Sequence, residues 1–170
     1  IKLVTAGFLE GFYYKPRVDK ELLREHAKGL LVLSGCLHSG VCRLLMEGQE
    51  AKAKEAAAWY RDVFGPENYY MEMQWHGIPE QKTVNEGVIR IARSLGVPLV
   101  ATNDVHYLNQ ADFRAHEILL CIQTGKTVHD KDRMRFSVNE FYLKSPEQMA
   151  ELFRDSPEAL KNTIAVAERC

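Results

Sequence analysis

Pro98-Leu99-Val100-Ala101-Thr102-Asn103-Asp104-Val105-His106-Tyr107 is a short apolar run that stops abruptly at two metal-ligand residue types with one residue between them. In extended backbone, side chains at i and i+2 point to the same side of the strand. On that geometry Asp104 and His106 reach one point in space from the mouth of a strand. A carboxylate oxygen beside an imidazole nitrogen suits zinc, manganese or iron. The spacing also fits a plainer arrangement, with Asp104 capping a turn and His106 bonded to backbone.

Two earlier segments have the character of the opening one. Leu30–Ser34 is an apolar run that suits a buried strand. Tyr69–Trp75 alternates Tyr69, Met71, Met73 and Trp75 with Tyr70, Glu72 and Gln74. Between these runs lie helical patterns over Val41–Glu47, Glu50–Phe64 and Glu80–Leu95. In the last, Val84, Val88, Ile91 and Leu95 fall three and four apart on one face. Gly96 closes that helix and Pro98 opens the strand. Strands alternating with helices at this spacing predict parallel βα units, in which ligands bind beyond the carboxyl ends of the strands. Cys36, His76 and the Asp104/His106 pair each fall at one of those ends.

The flanks are less regular. Ile1–Phe8 reads as the end of a helix running into Gly11. Gly11-Phe12-Tyr13-Tyr14-Lys15-Pro16-Arg17 is an aromatic-basic loop, able to stack on bases and contact phosphate or simply to pack at the surface. Asp19 caps a helix over Lys20–Ala27 that Gly29 ends. Ala111–Thr124 is a helix ended by Gly125, Lys126–Asn139 a polar excursion, and Phe141–Leu143 a short strand. Ser145-Pro146 and Ser156-Pro157 place serine at the N-cap and proline at the first helical position, starting helices over Pro146–Phe153 and Pro157–Cys170.

At 170 residues and 46% hydrophobic, the chain can bury one real core. With 22 basic against 23 acidic residues, no global basic field points to nucleic acid. Cys36, Cys42, Cys121 and Cys170 show no CxxC spacing and no disulfide framework, which predicts reduced thiols and a cytoplasmic setting. No apolar run reaches the roughly 18 residues of a membrane span, and no signal peptide is present. The chain opens without methionine and stops inside a helical pattern, so a piece of a longer polypeptide is expected.

Cys36 sits in a glycine-bracketed loop, Gly35-Cys36-Leu37-His38-Ser39-Gly40, either as a packed small hydrophobe or as a thiolate ligand. His38 is a candidate ligand or proton shuttle. A Cys36-based nucleophilic dyad is conceivable but leaves Asp104 unexplained. His76 and Glu80 form a possible acid/base pair; the preferred reading puts His76 in a turn and Glu80 in the first turn of a helix. His116 is expected to be a hydrogen-bonded packing histidine, and His26 and His129 surface residues.

Leu9–Asp19, Leu33–Cys36, Val100–Tyr107 and Ala115–Thr127 together resemble the PHP (polymerase and histidinol phosphatase) domain of the bacterial C-family replicative polymerases, the DNA polymerase III alpha subunits. The likeness covers essentially the whole chain, and its motifs fall in the right order. It implies an α/β fold: the C-terminal part of a distorted seven-stranded βα barrel over residues 1–144, then exit helices over 145–170 leading towards a polymerase core. It implies a cluster of up to three divalent ions (Zn, Mn, Fe or Mg), with Cys36, Asp104 and His106 on ligand positions; His38 and His76, read from their place in the chain, are candidates to support those ligands from behind. The family's other ligands, including an HxH pair, would precede Ile1, and the polymerase aspartates would follow Cys170.

Bridged ions at such a site lower the pKa of water and clamp a phosphate. The resemblance therefore implies a nucleotidyltransferase parent with a metal-dependent 3′–5′ exonuclease site. Its partners would be DNA, the remainder of the alpha subunit, a proofreading exonuclease subunit and the sliding clamp, with no membrane. The alternatives are a metal-free PHP scaffold that docks a separate exonuclease, and a stand-alone PHP phosphatase. The piece alone is expected to be inactive and, with unpaired strand edges, prone to associate.

Overall fold

The structure, a computed structural model, describes all residues from Ile1 to Cys170. Its centre is a parallel sheet of three strands, β1 (Val32–Leu33), β2 (Tyr69–Gln74) and β3 (Leu99–Thr102), in that order. β1 pairs Val32 with Tyr69, and β2 pairs Met71 with Leu99 through to Gln74 with Thr102. The helices are α1 (Lys2–Leu9), α2 (Lys20–Glu25), α3 (Gly40–Met46), α4 (Glu50–Phe64), α5 (Pro79–Leu95), α6 (Phe113–Thr124), α7 (Pro146–Leu152) and α8 (Pro157–Arg169). The expected alternation of helices and parallel strands is present.

Burial explains the arrangement. β2 is the middle strand and is covered on both faces, so Tyr69, Tyr70, Met71 and Met73 are all buried despite the alternation of polar residues. The apolar stripe Val84, Val88 and Ile91 of α5 packs into a core shared with Val41, Cys42 and Leu45 of α3 and Ala53 and Ala57 of α4. Gly87 lets α3 and α5 approach closely, since a β-carbon there would lie 2.5 Å from Leu45 Cδ2. On the far side α8 lies against β3, and Asn162 Nδ2 donates to Leu99 O at 2.7 Å.

Three expectations need correction. The first strand is two residues long, not five, because Leu30 is still bonded into the turn at Gly29 (Leu30 N to Ala27 O, 3.2 Å). Only from Val32 does the backbone reach a partner, Asn68 O at 2.7 Å. Phe141–Leu143 forms no strand; Tyr142 makes an isolated parallel bridge with Tyr107, beyond the end of β3. Ser145 caps α7 as expected, accepting from Gln148 N at 3.3 Å, but the buried Ser156 side chain makes no cap bond to α8.

Candidate metal-binding cleft

β3 ends at Thr102, so Asp104 and His106 lie in the loop after it, not on pleated backbone. Asp104 has φ +46°, in the left-handed region that aspartate tolerates better than most residues. The turn nevertheless brings the two side chains together: His106 Nε2 lies 3.3 Å from Asp104 Oδ1. The convergence read from i, i+2 alternation is therefore real, but its cause is a local reversal at Asp104. Both side chains are open to solvent, 36% and 40% exposed for His106 and Asp104. That leaves donor atoms available to a ligand.

Two anchors hold this loop. The first is His76, which is 1% exposed at the end of β2. Its Nδ1 accepts from Gln81 Nε2 at 2.7 Å, which leaves the ring's proton on Nε2, donated to Asn103 O at 2.8 Å. Its backbone N–H donates to Gln81 Oε1 at 2.7 Å, and its ring stacks on Phe141 with centroids 4.2 Å apart. His76 thus fixes the carbonyl immediately before Asp104. Its partner is Gln81, not Glu80, whose side chain is exposed; an acid/base pair there is excluded by the satisfied neutral ring. The second anchor is the 141–143 segment: His106 N donates to Phe141 O at 2.8 Å, and Asn103 Nδ2 donates to Tyr142 O.

Burial holds the His76 imidazole below its usual range, with the bond to Asn103 acting against the shift. A histidine depressed in the fold stays neutral while the unfolded chain protonates. Stability is then full above the unfolded value of about 6.5 and declines as pH falls from there towards the folded value. His116 is depressed in the same direction, first by burial and then by His106, and adds to the decline. We expect the opening free energy of the β2–β3 region, measured by hydrogen exchange corrected for intrinsic rates, to fall on acidification below about pH 6.5. His76→Gln should flatten that slope.

Across the cleft stands the loop after β1. Gly35 has φ +83°, and Ser39 Oγ accepts from Cys42 N at 3.3 Å to start α3. Cys36 and His38 face the same opening as Asp104 and His106, a cleft of about 530 Å³ also lined by Gln74, Gln81 and Phe136. Cys36 Sγ lies 3.9 Å from His38 Nδ1. Cys42 is buried instead, its thiol pushed up by burial and directed at Gly35 O at 3.6 Å. The four cysteines are all free.

Cys36, Asp104 and His106 therefore share a cleft but do not close on one point; no group of three His, Cys, Asp or Glu side chains is near enough to hold an ion. The donor chemistry fits a metal as an incomplete set: an oxygen and a nitrogen already paired, with a sulfur on the opposite wall.

One residue escaped the sequence reading, and another was read as hydrogen-bonded where the structure leaves it without a partner. Glu72 of β2 accepts from Gly35 N at 3.1 Å, from Gln74 Nε2 at 2.9 Å and from the Thr102 hydroxyl, while its backbone N–H donates to Ser34 Oγ at 2.9 Å. One carboxylate thus ties both loops of the cleft to the central strand. Its only signal was a charge between Met71 and Met73 on a buried strand. His116 packs near His106 and Phe136, with centroids 5.6 and 5.2 Å away, but its buried Nδ1 has no partner. The expectation of a hydrogen-bonded histidine fails at that nitrogen, which is buried among rings without a bonding partner.

The family profile described as PHP domain matches residues 1–76. Across 170 residues, all of the chain, it is 45% identical to the DNA polymerase III subunit alpha of Borreliella burgdorferi, covering 15% of that protein. Over 168 residues, 99% of the chain, it is 50% identical to the Treponema pallidum subunit, covering 14% of it. The Deinococcus radiodurans subunit is 47% identical over 172 residues, again 99% of the chain and 13% of the relative. The chain spans about 15% or less of these relatives' length. No helix is long and apolar enough to cross a membrane.

Proposed function

We propose, for a chain that belongs to the DNA polymerase III alpha-subunit family as a segment with PHP-domain sequence, that it supplies part of a divalent-metal phosphoesterase site in the whole subunit. The observation that carries the reading is the Asp104–His106 pair at 3.3 Å, open to a cleft whose other wall presents Cys36. Further ligands would come from elsewhere in the longer polypeptide. Completed, the fold would be part of a distorted βα barrel, and residues 145–170 would connect it to the polymerase. The parent's activity would be DNA-directed DNA synthesis in the cytoplasm, with 3′–5′ excision at this cleft. The clamp and a separate exonuclease subunit would be its partners beyond DNA.

Divalent ions bound here would supply Lewis acidity to water and to phosphate oxygens. The chain's own residues would do the rest. Asp104 would offer a hard anionic oxygen, and His106 an imidazole nitrogen; Cys36 would add a thiolate suited to a softer ion. His76, through Asn103, holds the turn that aims Asp104, and Glu72 holds the Gly35–Cys36 loop. His38, 3.9 Å from Cys36, is placed to hydrogen-bond the sulfur or to move a proton at the rim.

Because cysteine and histidine bind metal only when deprotonated, retention should weaken as pH drops. In the full-length subunit, His106→Ala is expected to lower metal content at pH 7 and to raise the pH at which metal is lost during dialysis. Mass spectrometry of bound metal reads both. Wild-type and variant subunits that carry no zinc, manganese or iron alike would instead support the scaffold reading.

A further inference from the structure

His116 lies behind the candidate ligands with its Nδ1 buried and unpartnered, and we propose that it is the positioning residue for His106 when the cleft holds metal. The inference rests on the metal reading of that cleft. His116 belongs to α6, outside the loops that carry Cys36, Asp104 and His106. A buried nitrogen without a bond is costly and points to a partner met in another state. Side chains of this chain already close over it, so that partner is a group already beside it.

The proton of His106 supplies the bond. His106 Nε2 lies 3.3 Å from Asp104 Oδ1. A carboxylate only accepts, so the ring proton sits on Nε2 while the two side chains are paired. A neutral imidazole that gives its Nε2 lone pair to a metal carries the proton on Nδ1 instead. Ligating histidines hold that second N–H on an acceptor, which fixes the ring's tautomer and direction. Three rings pack on His106: those of His116, Phe136 and Phe141, with centroids 5.6, 4.9 and 5.6 Å away. Only His116 offers a nitrogen. Two imidazoles bonded nitrogen to nitrogen have centres roughly 5 Å apart, so little more than a turn of the rings makes the bond. Tyr107, the other polar ring beside His116 at 5.3 Å, already meets the Phe141 N–H through its hydroxyl at 3.3 Å. The helix is held in place for this role: Glu117, the next residue, pairs with Arg133 at 2.7 Å, both side chains largely buried.

The test loads the full-length subunit with cobalt(II) and follows its visible absorption against a competing chelator. The signal lost in His106→Ala defines the ions that His106 holds. His116→Phe keeps a ring in the packing but no acceptor, and should weaken retention of those ions about 10–100-fold, the usual cost of removing a ligating histidine's outer partner. His116→Asn, whose Oδ1 can take the place of Nδ1, should restore most of it. Hydrogen exchange along α6 should match wild type in both variants. Equal cobalt affinity in His116→Phe and wild type overturns the inference. So does a loss that His116→Asn shares in full, or one accompanied by faster exchange along α6, since packing alone would then account for it. A cobalt signal untouched by His106→Ala would instead remove the metal reading of the cleft, and this inference with it.

Discussion

Asp104→Asn in the full-length subunit is expected to abolish metal-dependent excision of a mismatched 3′ nucleotide while DNA synthesis continues unchanged. Asparagine keeps the shape of the side chain and also tolerates the left-handed backbone seen at φ +46°. The loop and the 2.8 Å bond from His106 N to Phe141 O should therefore survive. What is lost is the anionic oxygen beside His106. A neutral amide cannot balance a divalent ion, and several kcal/mol of charge stabilisation corresponds to a fall of about 100-fold or more in rate. Single-turnover excision on a 3′-mismatched primer reads this loss, and extension of a matched primer is the control. Undiminished excision would refute the assignment of Asp104.

His76→Leu is expected to be the most destabilising change near the cleft. It removes the ring that Gln81 and Asn103 share and leaves a buried amide and a half-buried carbonyl facing carbon. Each orphaned group costs about 1–3 kcal/mol, and the lost stacking on Phe141 adds to it, so a loss of about 3 kcal/mol is expected. Hydrogen exchange in the full-length subunit should show amides of β2 and the Asn103–His106 loop opening about 150-fold more often. His76→Gln, which can still bond, should lose less. Equal protection in His76→Leu and wild type would mean that His76 anchors nothing.

The contacts of His76 also mark where sequence reasoning reaches its limit. Helices and middle strands were legible because their signals are local. Val84, Val88 and Ile91 at helical spacing did become the core stripe of α5. Gly96 did end α5 in the left-handed conformation, φ +64°. The candidate ligands were legible too, as residue types at strand ends. Their positioning was not, because it depends on contacts between distant residues. His76 bonds Asn103, 27 positions away, and Glu72 reaches Gly35, 37 positions back. Neither partner is implied by neighbours in sequence. Alternation suggested Asp104 and His106 as a strand pair, whereas the pair is made by a reversal at Asp104, in a left-handed backbone region that aspartate tolerates. The length of β1 was misjudged for a similar reason: apolarity in Leu30 and Leu31 cannot tell a strand from a turn bonded back to Ala27.

The central claim is that Asp104, His106 and Cys36 are ligands of one metal cluster in the whole subunit. Crystals of the full-length protein grown with manganese or zinc, with anomalous scattering collected at the matching edge, test it directly. The account predicts an anomalous peak in the cleft, within about 2.0–2.3 Å of donor atoms from Asp104 and His106, with Cys36 Sγ ligating the same ion or its neighbour. Metal peaks elsewhere with this cleft vacant, or ions here held by other residues alone, would contradict it.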